Sequence, residues 1–230
     1  MNAEPFTDRH DAGRQLASRL HKYEPYHPVI LALPRGGVPV GYEIAQALHA
    51  RLDVLVARKL GAPHQPELGI GAVAPGGILI FDSETINALG ISVDELRRLA
   101  QTEAAEMQRR VERYRGDRPP ADLNNQTVIV VDDGLATGVT AYAAVLSVRK
   151  AGPKKIVLAA PVCAHQTAAA LRTEVDDLVC VVTPPDLGAV GLWYRNFDQT
   201  TDDEVVELLA GAESEESEES EESEESEGMK

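Results

Sequence analysis

Residues Val128 to Thr140 read VIVVDDGLATGVT, and that order leaves the chain few choices of fold. Four β-branched residues in a row suit a strand buried on both faces, because branched side chains pack well on a pleated surface. Adjacent carboxylates cannot follow them into a core. Asp132 and Asp133 therefore mark the carboxyl end of the strand, Thr127 to Val131, and face solvent or a ligand. Gly134, Thr137, Gly138 and Thr140 come next, and a helix is expected from about Val139 to Lys150.

The same unit of buried strand, polar turn and helix recurs. In HPVILALPRGGVPVG, Val29 to Leu33 reads as a strand, Pro34 to Gly37 as a tight turn, and Val38 to His49 as a helix. Leu52 to Ala57 gives another strand, ended by Arg58 and Lys59, while KKIVLAAPV and DLVCVVTPP give two more, separated by a helix around His165 to Val175. Short apolar strands alternating with helices imply an α/β fold with a mostly parallel sheet flanked by helices. In such sheets ligands bind outside the carboxyl ends of the strands, where Arg35, Arg58, Lys59, Asp132, Asp133 and Thr183 all fall.

Other segments frame the sheet. Asp8 to Tyr23 reads as a helix with Ala12, Leu16, Ala17 and Leu20 on one side. Ser92 and Glu95 have the spacing of a capping box, opening a helix lined by Leu96, Leu99, Ala100, Ala104, Met107, Val111 and Tyr114 as far as Arg115. Its acidic start and basic finish suit the helix dipole. Between these, GAPHQPELGIGAVAPGG is expected to make a mobile excursion near His64 to Glu67 and return through a strand or hairpin around Ile70 to Phe81. A lid would fit there.

The formal charge of -15 argues against a surface that coats nucleic acid, which needs clustered Lys and Arg. Much of that charge lies in ESEESEESEESEESEG, Glu213 to Gly228. This repeat has no apolar area to offset its ordering entropy, so one folded domain over 1–210 and a disordered acidic tail over 211–230 are expected. Cys163 and Cys180 show neither metal-ligand spacing nor a disulfide framework, which favours a reducing compartment. Cys163 and His165 in PVCAH lack an evident orienting carboxylate, and a buried small hydrophobe is the expected role of the thiol. With no export-signal stretch and no run of about twenty apolar residues, a cytoplasmic protein without membrane or nucleic-acid partners is expected.

Small residues and hydroxyls between a strand and a helix turn backbone N–H groups inward, and the helix start adds partial positive charge. Together they make a phosphate cradle. The sequence lacks the Gly-Lys-Ser/Thr ending of a nucleoside-triphosphate loop and the glycine spacing of a dinucleotide fingerprint. Ionised carboxylates are acceptors only, so Asp132 and Asp133 beside the cradle suit vicinal hydroxyls, and a phosphorylated ribose supplies both features. Pro34, Arg35, Gly36 and Gly37 could embrace a second, more highly charged phosphate group, with Arg58 and Lys59 adding positive charge. The implied ligand is a sugar with phosphate at one end and pyrophosphate at the other, with Mg²⁺ offsetting charge.

Val128 to Thr140 resembles the ribose-phosphate signature of the type I phosphoribosyltransferases, and LPRGGVPVG resembles their pyrophosphate loop. The likeness spans roughly Val29 to Thr183. It implies that Asp132 and Asp133 engage the ribose 2- and 3-hydroxyls and hold Mg²⁺. Gly134, Leu135, Ala136, Thr137, Gly138, Val139 and Thr140 would hold the 5-phosphate, and Arg35 with Gly36 the pyrophosphate, near a nonproline cis peptide. Phosphoribosyl pyrophosphate is the implied donor, a nitrogenous base the acceptor, and a homodimer the plausible assembly. Members acting on oxopurines carry an acid where this chain has Ala136, which weakens that specificity. Glu67 could contact the acceptor instead, with His64 nearby. A small hood is implied near the chain ends, where Trp193, Tyr194 and Phe197 could stack on a base or pack a terminal helix, Asp202 to Leu209; Tyr23 and Tyr26 share that ambiguity. Three functions stay open: a Mg²⁺-dependent pentosyltransferase, a non-catalytic regulatory binder of the same sugar, and a phosphorylated-sugar hydrolase.

Overall fold

The structure, a computed structural model, describes residues 4–213. The chain opens with α1 (Arg9–Leu20), a 3-10 turn (His21–Tyr26), β1 (Val29–Ala32), α2 (Gly37–Leu48) and β2 (Leu52–Val54). An arm follows, β3 (Arg58–Ala62), β4 (Gln65–Ala74) and β5 (Ile78–Phe81), and then α3 (Ser83–Leu89) and α4 (Val93–Arg115). The remainder runs β6 (Thr127–Val131), α5 (Val139–Lys150), β7 (Lys155–Val162), α6 (His165–Leu171), β8 (Asp177–Val182) and a 3-10 turn (Val190–Trp193). A last helix, α7, covers 202–213.

Among the described residues, five strands form a sheet in the order β2-β1-β6-β7-β8, and every neighbouring pair is parallel. Both faces are covered, as the unbroken burial of VILA and TVIVV requires. Alternate residues point to opposite faces. Ile30, Ala32, Ile129, Val131 and Val157 pack under α1, α2 and α7, while Leu31, Val128, Val130 and Leu158 pack under α5 and α6. The α/β class expected from the strand and helix alternation is therefore the one found. No helix among the described residues is long and apolar enough to cross a membrane.

Several boundaries differ from expectation. β2 ends at Val54, so Arg58 and Lys59 do not close a strand of the parallel sheet; they open β3. The segment read as a mobile excursion is an antiparallel hairpin, β3 against β4, that reverses at Pro63 and His64, with His64 at φ 66°. Leu60, Ala62, Ile70 and Val73 hold the base of the hairpin by burying against Ile86 and Ala100 in a separate apolar cluster, while residues 64–69 are exposed. α3 is an addition to the expected elements, although Asp82 caps it by accepting from the N–H groups of Glu84 and Thr85. The first helix stops at Leu20, and the helix after β7 stops at Leu171. α7 continues to residue 213, and the Ser/Glu repeat beyond it lies outside the described residues.

α4 starts with the expected capping box at Ser92 and Glu95, and its far end ties the fold together. Arg115 donates to both oxygens of Asp53 in β2 at 3.2 Å and to the Val54 carbonyl at 3.1 Å, while the Ala121 N–H donates to Asp53 at 3.0 Å. Asp53 is 8% exposed. Tyr114, also buried, donates its hydroxyl to Asp202 of α7, and Arg113 pairs with Asp202 and Asp203 at 2.8 and 2.9 Å. The Tyr114 hydrogen bond first, and the arginines around it, hold the Asp202 carboxyl below its ordinary value. Removing one partner of a largely buried ion pair strands the other charge. Asp53→Ala is expected to lower unfolding free energy by about 3 kcal/mol in urea titration, and a change below about 1 kcal/mol would mean that solvent screens the pair.

Candidate active site at the carboxyl ends of the sheet

β1 and β6 pair in register from Val29↔Val128 to Ala32↔Val131, so the two loops that follow leave the sheet side by side. The Leu33 N–H donates to the Val131 carbonyl at 2.8 Å, extending the pairing by one step. The Pro34–Arg35 peptide is cis. Gly36 then caps α2 directly against the second acid: a Cβ there would lie 1.9 Å from Asp133 Oδ2 and 2.9 Å from Arg9 Nε. Only glycine permits that approach. The Arg35 side chain turns aside, with Nη1 3.7 Å from Asp202 Oδ1.

The paired acids have different surroundings. Asp132 accepts from the Asp133 N–H at 2.9 Å. Burial of its carboxyl, and then the adjacent Asp133 carboxylate, push Asp132 well above the usual carboxylate range. Asp133 instead has a cation: Arg9 Nε donates to Oδ2 at 2.8 Å, and the Tyr194 hydroxyl donates to the Asp133 main-chain carbonyl at 2.6 Å. Burial, then the Asp133 charge, push the Tyr194 hydroxyl up. Arg9 also donates to the Asp198 carbonyl at 2.6 Å and stacks on Phe197, its guanidinium carbon 3.9 Å from the ring centroid.

The cradle is anchored from below. Leu135, fully buried, gives its N–H to Val162 and accepts from the Ala164 N–H, both at 2.9 Å. Ala136 and Thr137 are exposed, while Gly134, Gly138, Val139 and Thr140 are half-buried. Gly138 precedes α5 at φ 72°, and no side chain caps the helix start. The Thr167 hydroxyl donates to the Ala136 carbonyl, fixing the loop from α6. These are the features an oxyanion cradle needs: small residues, hydroxyls and a helix start with uncapped N–H groups.

Other candidates are placed less centrally. Arg58 is paired with Glu103 of α4 at 2.7 Å, and Lys59 Nζ donates to the Glu67 carbonyl at 3.1 Å, so both cations already have partners within the arm and its support. The Glu67 residue is exposed on β4. Thr183 follows β8, half-buried. Trp193 gives its indole N–H to Leu187, and the Tyr194 ring packs between Phe6 and Phe197 at 5.4 and 4.9 Å. Tyr23 donates to Asp177, the first residue of β8, which puts it at the amino end of the sheet, away from the acids. Cys163 is fully buried, and its contact with Cys180, then burial, push its thiol up, against any nucleophilic role.

Among the described residues, no group of three or more His, Cys, Asp or Glu is placed to hold a metal. Cavities of about 540 and 550 Å³ run along α4, one beside Asp53 and Arg115 and one beside Phe81 and Val93; neither includes the acid pair. Local sequence marks neither Arg9 nor Thr167. Their partners lie far along the chain, and only the approach of α1 and α6 to the loops reveals them.

A family model described as the phosphoribosyl transferase domain matches residues 6–192. The chain belongs to this family. Counterparts from two strains of Mycobacterium tuberculosis, CDC 1551 / Oshkosh and H37Rv, are each 45% identical over 204 residues, covering 89% of this chain and 46% of theirs. Both are named only provisionally as phosphoribosyl transferases, and the chain spans about half the length of these curated relatives. The crystal structure of TT1426 from Thermus thermophilus matches at 38% identity with a TM-score of 0.75, covering 89% of this chain and 97% of that one. A hypothetical protein from Neisseria gonorrhoeae with bound ppGpp shares the fold at 14% identity and a TM-score of 0.51, covering 90% of this chain and 96% of that one.

In this phosphoribosyl transferase domain, Gly36 and Asp133 are packed too closely for any side chain between them. Gly36→Ala must displace the Asp133 carboxylate or the turn. With phosphoribosyl pyrophosphate, the ligand proposed below, calorimetric titration is expected to show at least about tenfold weaker binding than wild type, since sub-ångström placement governs such sites. Unchanged affinity would mean that this turn is not part of the binding surface.

Proposed function

We propose that the chain transfers the 5-phosphoribosyl group from phosphoribosyl pyrophosphate to a nitrogenous base, releasing pyrophosphate. The observation that supports this most is the direct contact between the Gly36 turn and Asp133. It lets one small molecule touch the turn, the acids and the cradle together. In this reading Asp132 and Asp133 accept from the ribose hydroxyls, and the loop Gly134 to Thr140 holds the 5-phosphate through N–H groups and the hydroxyls of Thr137 and Thr140. Pro34 to Gly37 supplies the pyrophosphate end.

The chemistry follows from charge. The C1–O1 bond breaks with its electron pair passing to pyrophosphate, the ribose gains cationic character, and the acceptor nitrogen forms the new bond to C1 before losing its proton to solvent. Fixed donors near the leaving group lower the barrier because its charge grows in the transition state. Arg35 is the guanidinium best placed, provided it exchanges its 3.7 Å contact with Asp202 for the pyrophosphate. Arg58 is largely neutralised by Glu103, whereas Lys59 meets an uncharged carbonyl, that of Glu67, and so keeps its charge as the second cation. Glu67 and Trp193 are the residues we assign to the acceptor side, and Thr183 to the rim.

Mg²⁺ suits this donor set in one way. It is commonly held by one or two carboxylates with substrate phosphates and waters completing the shell. Asp132 and Asp133 would supply the carboxylates, although Asp133 Oδ2 is already committed to Arg9. When bound, the ion offsets the charge of the pyrophosphate. A non-catalytic regulatory binder of the same sugar is the second reading, and Ala136, where oxopurine members carry an acid, counts only against an oxopurine acceptor.

Incubation with labelled phosphoribosyl pyrophosphate and a panel of bases, with and without Mg²⁺, separates the readings. Acceptor-dependent pyrophosphate release is expected. Binding without release would support the regulatory module, and release without an acceptor would support a hydrolase. Asp132→Asn is the cleaner site variant, because Asp133→Asn also strips Arg9 of its partner. It is expected to weaken binding at least about tenfold, the loss of a hydrogen bond to a charged group, with the fold intact.

A further inference from the structure

Arg9 lies outside both sequence motifs, yet it touches the candidate site more closely than any cation the motifs contain. We propose that Arg9 is a positioning residue that fixes the Asp133 carboxylate so that Oδ1 is the oxygen presented to a ribose hydroxyl; this rests on the ribose-binding reading above. Asp133 Oδ2 accepts from Arg9 Nε at 2.8 Å and lies beneath Gly36, where an added carbon would sit 1.9 Å away. The Tyr194 hydroxyl holds the main-chain carbonyl of the same residue. A carboxylate tied at one oxygen, covered on that side and fixed through its backbone cannot rotate freely, and the untied oxygen is left for the ligand.

Arg9 is itself immobilised. Its side chain is 12% exposed, its Nη1 donates to the Asp198 carbonyl at 2.6 Å, and its plane rests on Phe197. A planar guanidinium can meet a carboxylate, a carbonyl and a ring face in three fixed directions, whereas an ammonium is a point charge on a flexible stem. The arrangement is therefore directional, beyond supplying one positive charge. It also draws residues 194–198, which lie past the end of the family match at 192, into the geometry of the sugar site.

The alternative is that Arg9 merely staples the chain ends together, and the readout must separate that from positioning. Dissociation constants would be measured by calorimetry for ribose 5-phosphate, its 2-deoxy and 3-deoxy analogues, and inorganic phosphate, with wild type, Arg9→Met and Arg9→Lys. In Arg9→Met the preference for ribose over at least one deoxy analogue is expected to shrink about tenfold, while inorganic phosphate binds within about twofold of wild type, because only the sugar contact is misplaced. Arg9→Lys is expected to resemble Arg9→Met. Retained sugar discrimination in Arg9→Met, or its full rescue by lysine, would overturn the proposal while leaving the parent reading intact. A wild-type protein that binds neither ribose 5-phosphate nor phosphoribosyl pyrophosphate would sink the parent reading and this one with it. If Arg9→Met does not fold, Tyr194→Phe, which frees the Asp133 carbonyl alone, is expected to narrow the same ratio, and an unchanged ratio would count against positioning.

Discussion

The pairing of β1 with β6 is the constraint on which the rest of the structure depends. Val29 to Ala32 and Val128 to Val131 are buried, parallel and in step, so their carboxyl ends finish at the same height. A one-residue slip would reverse which side chains face each layer and carry the apolar set into the wrong helices. Register is thus set by hydrophobic burial on both faces, and the placement of Gly36 against Asp133 is inherited from it. The meeting of the Gly36 turn with the acid pair is a by-product of how two dry strands had to align.

Charge around the acid pair is managed asymmetrically. Two adjacent carboxylates near a sheet end repel one another, and burial penalises the ionised form of Asp132. Among the described residues Arg9 bonds to Asp133, while the acidity of Asp132 is weakened by burial and by its charged neighbour. Elsewhere cations are consumed in architecture. Arg58 holds Glu103, Arg115 holds Asp53, and Arg113 holds Asp202, so much of the positive charge that looks available in a sequence is already spoken for.

Legibility from sequence followed physical range. β6 and α5 have the limits their residues suggest, because a wholly apolar run and a loop of small residues are local signals. The capping box of α4 is likewise local. The β3–β4 hairpin is hidden in the sequence because Gly and Pro suggest a loop, while the packing of Leu60 and Ile70 onto the helices α3 and α4 depends on residues further along the chain. β2 is short because, after the Leu55 N–H makes a last bond to the Ala32 carbonyl at 3.0 Å, the chain turns into that arm. In the site, the acids, the cradle and the LPRGG turn could be named from their own spacing. Arg9, Thr167 and the hydroxyl of Tyr194 could not, since each acts across a long stretch of chain.

The ring of contacts around Asp133 is closed by residues near both ends of the described chain: Arg9 meets Asp133 across 124 positions and Asp198 across 189. Contacts of such separation form late, after the intervening loop entropy has been met. During synthesis, every recognisable motif would emerge from the ribosome well before Tyr194 and Asp198 do. A nascent polypeptide therefore carries both loops before the Tyr194 hydroxyl and the Asp198 carbonyl are there to hold Asp133 and Arg9, and emergence of residues 194–198 is the point from which those contacts can form.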